Sequence, residues 1–308
     1  MQITELRKEL KFNAELVQLI ETLKNIAASQ YHLLEKEKER FDRFMDAFAE
    51  FFRVVDLVEV KNPLVKVMTD IIGVVVVTSD SGFMGGLNQG VMRTALNIGA
   101  DKGDDKISYV VIGEKGESFF SAIGKKFKFF KGINQETIYE QALEIKDYLL
   151  NEVMEKRMGK TVVVYPKPIS FSSQEITTAG LLPCGELFDK TRMGEVFKHT
   201  EEKKGLFAEA RKTASNVIVE SSYDDMVKYL SGVWITSKLY EVFEDSKLAE
   251  FSARAMHLEG SLQKIQKEYK KVQHLYNKAR HELIDKGMRE SFSAKGSQKK
   301  RKMAQATT

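Results

Sequence analysis

The sequence predicts an α/β protein combined with a long antiparallel coiled coil, in which amino- and carboxy-terminal helices pair and a Rossmann-like α/β domain is inserted between them. Three observations predict it. Both ends carry apolar residues at alternating spacings of three and four, the signature of a helical seam. The middle of the chain switches to short β-branched runs separated by helical segments. Only four prolines occur in 308 residues, and 30% of residues are charged, a composition of long solvated helices.

The carboxy-terminal seam is the more regular. Leu248, Phe251, Ala255, Leu258, Leu262, Ile265, Tyr269, Val272, Tyr276, Ala279 and Leu283 alternate threes and fours without a slip. No proline follows Pro183, so one helix is expected from about Tyr223 to Phe292. The amino-terminal seam runs through Ile3, Leu6, Leu10, Val17, Ile20, Ala27, Tyr31, Leu34, Phe41, Met45, Phe48, Phe52 and Val55, with Asn13, Lys24 and Lys38 interrupting it. Polar residues in a seam set register, and Lys24 is also a candidate for a partner contact. A second stripe, Leu16, Leu19, Leu23, Ile26 and Leu33, widens the apolar face and predicts more than one neighbour. Two ends of one chain that flank a compact domain run antiparallel if they pair. The expected level places Ile20–Tyr31 near Tyr276.

Between the helices, Ile71–Val77 reads as a buried strand, and Leu87–Ile98 as a helix. Ile107–Gly113 is a strand, Glu114–Ile123 a helix, Lys125–Lys131 a short strand, Glu136–Met158 a helix and Thr161–Tyr165 a strand. That alternation predicts a parallel sheet with helices on its faces, with a strand at Phe171–Thr178 on one edge. The charged stretch 185–213 reads as a surface excursion, and Asn216–Glu220 as a further strand. The expected organisation is a helix over 1–58, the α/β domain over 70–221, a helix over 222–293 and a basic, disordered tail over 294–308.

Charge excludes a nucleic-acid-binding face. The formal net charge of +4 includes Lys295, Lys299, Lys300, Arg301 and Lys302 in a tail without acids; removing those five charges leaves the rest at −1. The single cysteine, Cys184, excludes an internal disulfide and a cysteine-cluster metal site. No signal-peptide-like run opens the chain, and Ile71–Val77 is far too short to span a membrane.

One segment could carry chemistry. Thr78–Asn88 reads TSDSGFMGGLN, a Gly-rich turn between strand and helix where α/β proteins cradle phosphates. Its spacing fits neither the dinucleotide fingerprint nor the lysine-bearing phosphate loop. Ser79, Asp80, Gly82, Gly85, Gly86 and Asn88 are therefore read as a conformational turn with close helix–sheet packing, Ser79 and Asp80 being good turn and helix-start residues. His32, His199, His257, His274 and His281 show no metal-ligand spacing, and neither a metal nor a cofactor is expected.

Three motifs resemble one family. Thr22-Leu23-Lys24-Asn25-Ile26-Ala27-Ala28-Ser29, the turn from Thr78 to Asn88, and Tyr276-Asn277-Lys278-Ala279-Arg280 are similar, in that order, to segments of the gamma subunit of F-type ATP synthases. Val111-Ile112-Gly113-Glu114-Lys115-Gly116, Leu181-Leu182-Pro183 and Ala253-Arg254-Ala255-Met256 support the likeness, which covers roughly residues 3 to 292. The chain departs from the family pattern at Ser81, at Phe83-Met84 and in its extra tail.

The resemblance implies a rotor shaft without catalysis of its own. Its implied partners are the alpha and beta subunits of the catalytic head, the epsilon subunit and the membrane c-ring. It implies no cofactor, no homo-oligomer, and peripheral association with the cytoplasmic side of a bacterial inner membrane or an equivalent membrane. It carries Lys24, Arg254, Tyr276, Asn277 and Arg280 over as partner contacts. A gamma-like shaft driving another mechanical task in a specialised ATPase is the alternative; a phosphate-binding enzyme built on the α/β domain is the rival class.

Overall fold

The computed structural model describes residues 3–52, 62–100, 103–184 and 223–305. The excursion expected over 185–213, the strand expected at Asn216–Glu220 and the seam position Val55 lie outside them. So do the side chains of Lys38, Phe41, Met45, Phe48 and Phe52, although helix α1 (Ile3–Phe52) includes their backbone.

The sheet is built from β1 (Ile72–Val77), β2 (Ile107–Ile112), β3 (Phe127–Phe130), β4 (Lys160–Ser170) and β5 (Ser173–Leu182), in the order β3-β2-β1-β4-β5. The pairs β1–β2, β1–β4 and β2–β3 are parallel, and β4–β5 is antiparallel. Helices α2 (Leu87–Gly99), α3 (Glu114–Ala122) and α4 (Ile138–Met154) make the crossovers. This order is that of a Rossmann-like sheet with an antiparallel edge strand.

Strand pleat assigns the valines to two cores. Val75, Val77, Val110, Ile112, Val163 and Tyr165 point to the face covered by Ile145 and Leu149 of α4 and by Val227, Leu230, Ile235, Leu239 and Phe243 of the last helix, α5 (Tyr223–Gln305). Val74, Val76, Val111, Val162 and Val164 point to the other face, under Val91, Met92 and Ala95 of α2 and Phe120 of α3. A strand buried on both faces has to be a continuous apolar run, and that is why Val74 to Val77 carry no alternation.

Boundaries differ from expectation in three regions, for local reasons. Pro166 and Pro168 suggest an early end to β4, yet the strand continues to Ser170. Beyond Val164 it pairs with β5 and no longer with β1, so one edge is free to receive a residue without an N–H. Phe171 and Ser172 then form the hairpin tip, and the edge strand starts at Ser173. The helix expected from Glu136 starts at Ile138, because Gln135–Thr137 form a single 3-10 turn whose Glu136 amide donates to Asn134 Oδ1 at 3.1 Å. Its other end is set by Lys156, at φ 59. The third difference is at the tail. Residues 294–305, expected to be disordered, continue α5 as far as Gln305. That stretch lacks proline and is rich in Lys, Gln, Ala and Arg, which are good helix formers.

The chain divides into two compact units, Ile26–Met256 and a second made of Met1–Asn25 with His257–Thr308. In the first, Tyr31 and Leu34 of α1 pack with Leu248 and Phe251 of α5, and Phe171 from the β4–β5 hairpin joins them. The Tyr31 and Phe171 rings meet edge-on with centroids 5.0 Å apart. Within the second unit, Ile20 packs with Leu258 and Leu262, flanked by Leu16, Val17, Leu23 and Ile265. Lys24 there meets Glu259 at 3.0 Å. Later residues of α1 face earlier residues of α5, so the pairing is antiparallel as expected. The level is not. Ile20 lies opposite Leu258–Leu262, well short of Tyr276.

Candidate functional site: the glycine-rich turn and the rotor-contact residues

The turn after β1 is a closed hydrogen-bonded structure. Thr78 Oγ1 donates to the Ile112 carbonyl at 2.7 Å and accepts the Gly116 amide at 2.9 Å. The Ser79 amide donates to Asn88 Oδ1 at 3.2 Å, Asn88 Nδ2 donates to Ser79 Oγ at 2.9 Å, and Ser79 Oγ donates to the Ser81 carbonyl at 2.8 Å. Asp80 Oδ1 accepts the Glu114 amide at 2.9 Å. Asp80 is thus a helix-start residue as its type suggests, but for α3 across the sheet edge rather than for the adjacent α2. Gly113 makes this possible: at φ 97 it passes against the Thr78 carbonyl where a Cβ would not fit.

The glycines of the turn have different duties. Gly85, at φ 58, takes the left-handed conformation. Gly86 caps α2 without a side-chain bond, and both it and Gly82 have open space where a Cβ would be. The close helix–sheet packing expected at this turn occurs one turn further along, at Gly90 against Ile176.

The Thr78, Ser79, Asp80 and Asn88 side chains of this turn are all bonded within the chain. The space beneath it, lined by Thr78, Ser79, Asn88, Pro166, Ser246 and Glu250, is about 10 Å³, enough for about one water. Among the described residues no group of three His, Cys, Asp or Glu side chains could hold a metal ion.

The five residues singled out as partner contacts fall into two classes. Lys24 and Arg254 are engaged inside the chain. Lys24 Nζ donates to Glu259 Oε2 at 3.0 Å, and this bond, with a second from Gln263, holds the Glu259 carboxyl below its usual value. Arg254 Nη2 donates to Glu250 Oε1 at 2.6 Å, its Nε approaches the Gly82 carbonyl at 3.4 Å, and its guanidinium lies 5.9 Å from the centroid of the Phe251 ring. Tyr276, by contrast, is half-buried, and Asn277 and Arg280 are exposed.

Two features escaped the sequence reading. Lys247 and Arg254 grip the same carboxylate, Glu250, whose side chain is 9% exposed; only the i, i+3 and i, i+4 spacing along a helix could have signalled it. An open groove of about 880 Å³ also lies between α4 and the start of α5, lined by Tyr139, Leu143, Lys146, Leu150, Tyr229 and Val233. No sequence signal marks it, because the groove arises from two helices crossing one sheet face.

Two classes of comparison decide the family. The family model described as ATP synthase matches residues 2–294. Proteins named ATP synthase gamma chain from Trichormus variabilis and Glaesserella parasuis are each 24% identical; the first covers 86% of this chain and 89% of its own length, the second 93% and 96%. The chain belongs to the ATP synthase gamma family.

As a gamma-family chain it is a rotor subunit of an F-type ATP synthase. Its fold is shared by a chain of the Euglena gracilis mitochondrial ATP synthase described as OSCP/F1/c-ring, with a TM-score of 0.62 at 16% identity, covering 96% of this chain and 94% of that one. A chain from the Tetrahymena thermophila mitochondrial ATP synthase central stalk and c-ring superposes with a TM-score of 0.55 at 18% identity, covering 79% and 99%. No helix among the described residues is long and apolar enough to cross a membrane.

Proposed function

We propose that this chain is the non-catalytic shaft of its complex: ion flow through a membrane c-ring turns it, and its turning drives the catalytic beta subunits through their nucleotide states. The observation that supports this best is α5. It is one element of 83 residues, contributing Val227–Phe243 to the sheet core and Leu258–Leu262 to the helix pair. Rotary coupling calls for rigid-body motion, and a continuous helix is the kind of element suited to it.

Partner contacts follow from what stays uncovered. Phe12, Leu19, Ile26 and Leu33 of α1 recur every seven residues and are between 49% and 63% exposed. Apolar rows of this kind mark interaction surfaces, and in this reading the alpha and beta subunits cover them. Asn277 and Arg280 contact the same head, whereas Lys24 and Arg254 act from within the chain. The α4–α5 groove, with Tyr139 and Tyr229 at 53% and 72% exposure, takes the epsilon subunit. The chain requires no cofactor. It works at the cytoplasmic face of a bacterial inner membrane or an equivalent membrane.

Reconstitution tests this directly. The purified chain should hydrolyse no ATP, and adding it to alpha and beta subunits should yield a complex whose turnover depends on it. Steady hydrolysis by the chain alone, abolished by Asp80→Asn, would overturn the shaft reading.

A further inference from the structure

The glycine-rich turn carries backbone strain that its own residues do not relieve. Phe83 lies at φ 65, a region that bulky L-residues avoid. Its ring is 63% exposed, so packing of the side chain does not compensate. Strain of this kind persists only where surrounding structure over-determines the backbone. Two tethers do so here. Asp80 fastens one side of the turn to the first amide of α3. On the other side the Gly82 carbonyl, immediately before Phe83, faces the Arg254 guanidinium of α5 at 3.4 Å.

A contact of 3.4 Å is long for a hydrogen bond, and alone it would hold little. Its strength depends on how firmly the guanidinium is placed. Glu250, one helical turn earlier, accepts Arg254 Nη2 at 2.6 Å and Lys247 Nζ at 2.9 Å. Both cations also lie over the Phe251 ring, at 5.5 and 5.9 Å. The three charged side chains are between 9% and 16% exposed, so the cluster is little screened by solvent.

We propose that Glu250 is a positioning residue for Arg254, and that the pair straps the turn to α5, holding Phe83 in its left-handed conformation with the ring outward. Through the two tethers, α3 and α5 are joined by the turn. This strap is a property of the chain itself and does not depend on the shaft reading.

Amide hydrogen exchange on the purified full-length chain tests it. The amides to follow are those that donate into or across the turn: Ser79 to Asn88, Leu87 to Met84, Glu114 to Asp80 and Lys115 to Ser79. Glu250→Gln keeps the shape of the side chain and removes its charge. It should speed exchange of these four amides about tenfold while amides over 235–248 of α5 keep their protection. Arg254→Lys should do the same, since an ammonium cannot hold the carboxylate and the carbonyl in one plane. The double variant should be no worse than either single one, as expected for two members of one contact. Phe83→Gly placed in the Glu250→Gln chain should restore slow exchange, because glycine bears the positive φ without strain. Unchanged exchange in both single variants, additive effects in the double one, or loss of protection along α5 in step with the turn would each overturn the strap. Should Glu250→Gln fail to fold, Phe83→Gly in the native background decides the matter. Slower exchange supports the strap; unchanged or faster exchange refutes it.

Discussion

Lys24 shows how one residue changes meaning between sequence and structure. In the heptad pattern it is an interruption; in the fold its ammonium reaches Glu259 on α5 and fixes the level at which the helices meet. The pH dependence of this bond has a definite sign. Glu259 is held below its ordinary 4.5 by the Lys24 bond first and by Gln263 second. A depressed carboxyl contributes stability above its unfolded value and loses it as pH falls through the lower folded value. Acidification from about pH 5 downward should therefore loosen the helix pair near Ile20 in the native chain. Glu259→Gln should show less of this acid-dependent loosening, read from the mobility of a spin label at the exposed Lys264→Cys. An identical acid response in both chains would remove Glu259 as its source. Cys184 supplies a second prediction. Burial pushes its thiol up to about 12, against a smaller opposing effect of Ser231. Iodoacetamide at pH 8 should modify it no faster than the chain opens, and rapid alkylation of the native protein would contradict the burial.

On the scale of elements, α5 gathers three sequence regimes into one helix. Its start is buried on the sheet, the middle forms the seam, and from His281 to Lys295 every residue is exposed. Leu258 and Leu262 are 2% and 4% exposed, whereas Leu283 is 59% exposed. The perfect spacing of the seam therefore outlasts its burial. Leu262→Ala should cost about 2–5 kcal/mol, and Leu283→Ala less than about 1 kcal/mol, as expected of an exposed site; thermal melts of the two variants distinguish them. Gly260 is the complementary case. A Cβ there meets nothing, so Gly260→Ala should stabilise the helix by about 1 kcal/mol. A lower melting temperature for Gly260→Ala would show that the glycine serves a close approach that the structure does not contain.

At the scale of the whole molecule, the shaft reading makes a prediction about the pair formed by Ile20 with Leu258 and Leu262. Joining Lys24→Cys to Glu259→Cys with a short bifunctional maleimide should leave ATP turnover of the assembled complex unchanged, because the two helices do not move past one another in a rigid rotor. Loss of turnover on cross-linking, with unlinked cysteines harmless, would show that they do. Leu262→Ala in the same complex should weaken coupling before the sheet core melts, since that core is built from other residues.

Much of this organisation is legible in the sequence because it is periodic or local. Alternating threes and fours identify both terminal helices, and the valine run identifies a strand buried on two faces. The spacing of Thr78–Asn88 identifies a turn between strand and helix. Tertiary structure alone decided which residues meet across hundreds of positions. It set the level of the helix pair, placed Asp80 on α3 rather than α2, let β4 run through two prolines, and brought Arg254 to the carbonyl before a strained Phe83. The physical reason is common to these cases. Hydrophobic periodicity specifies which face of an element is buried, but it carries no information on the translation of that face along its partner, and every long-range polar contact depends on that translation.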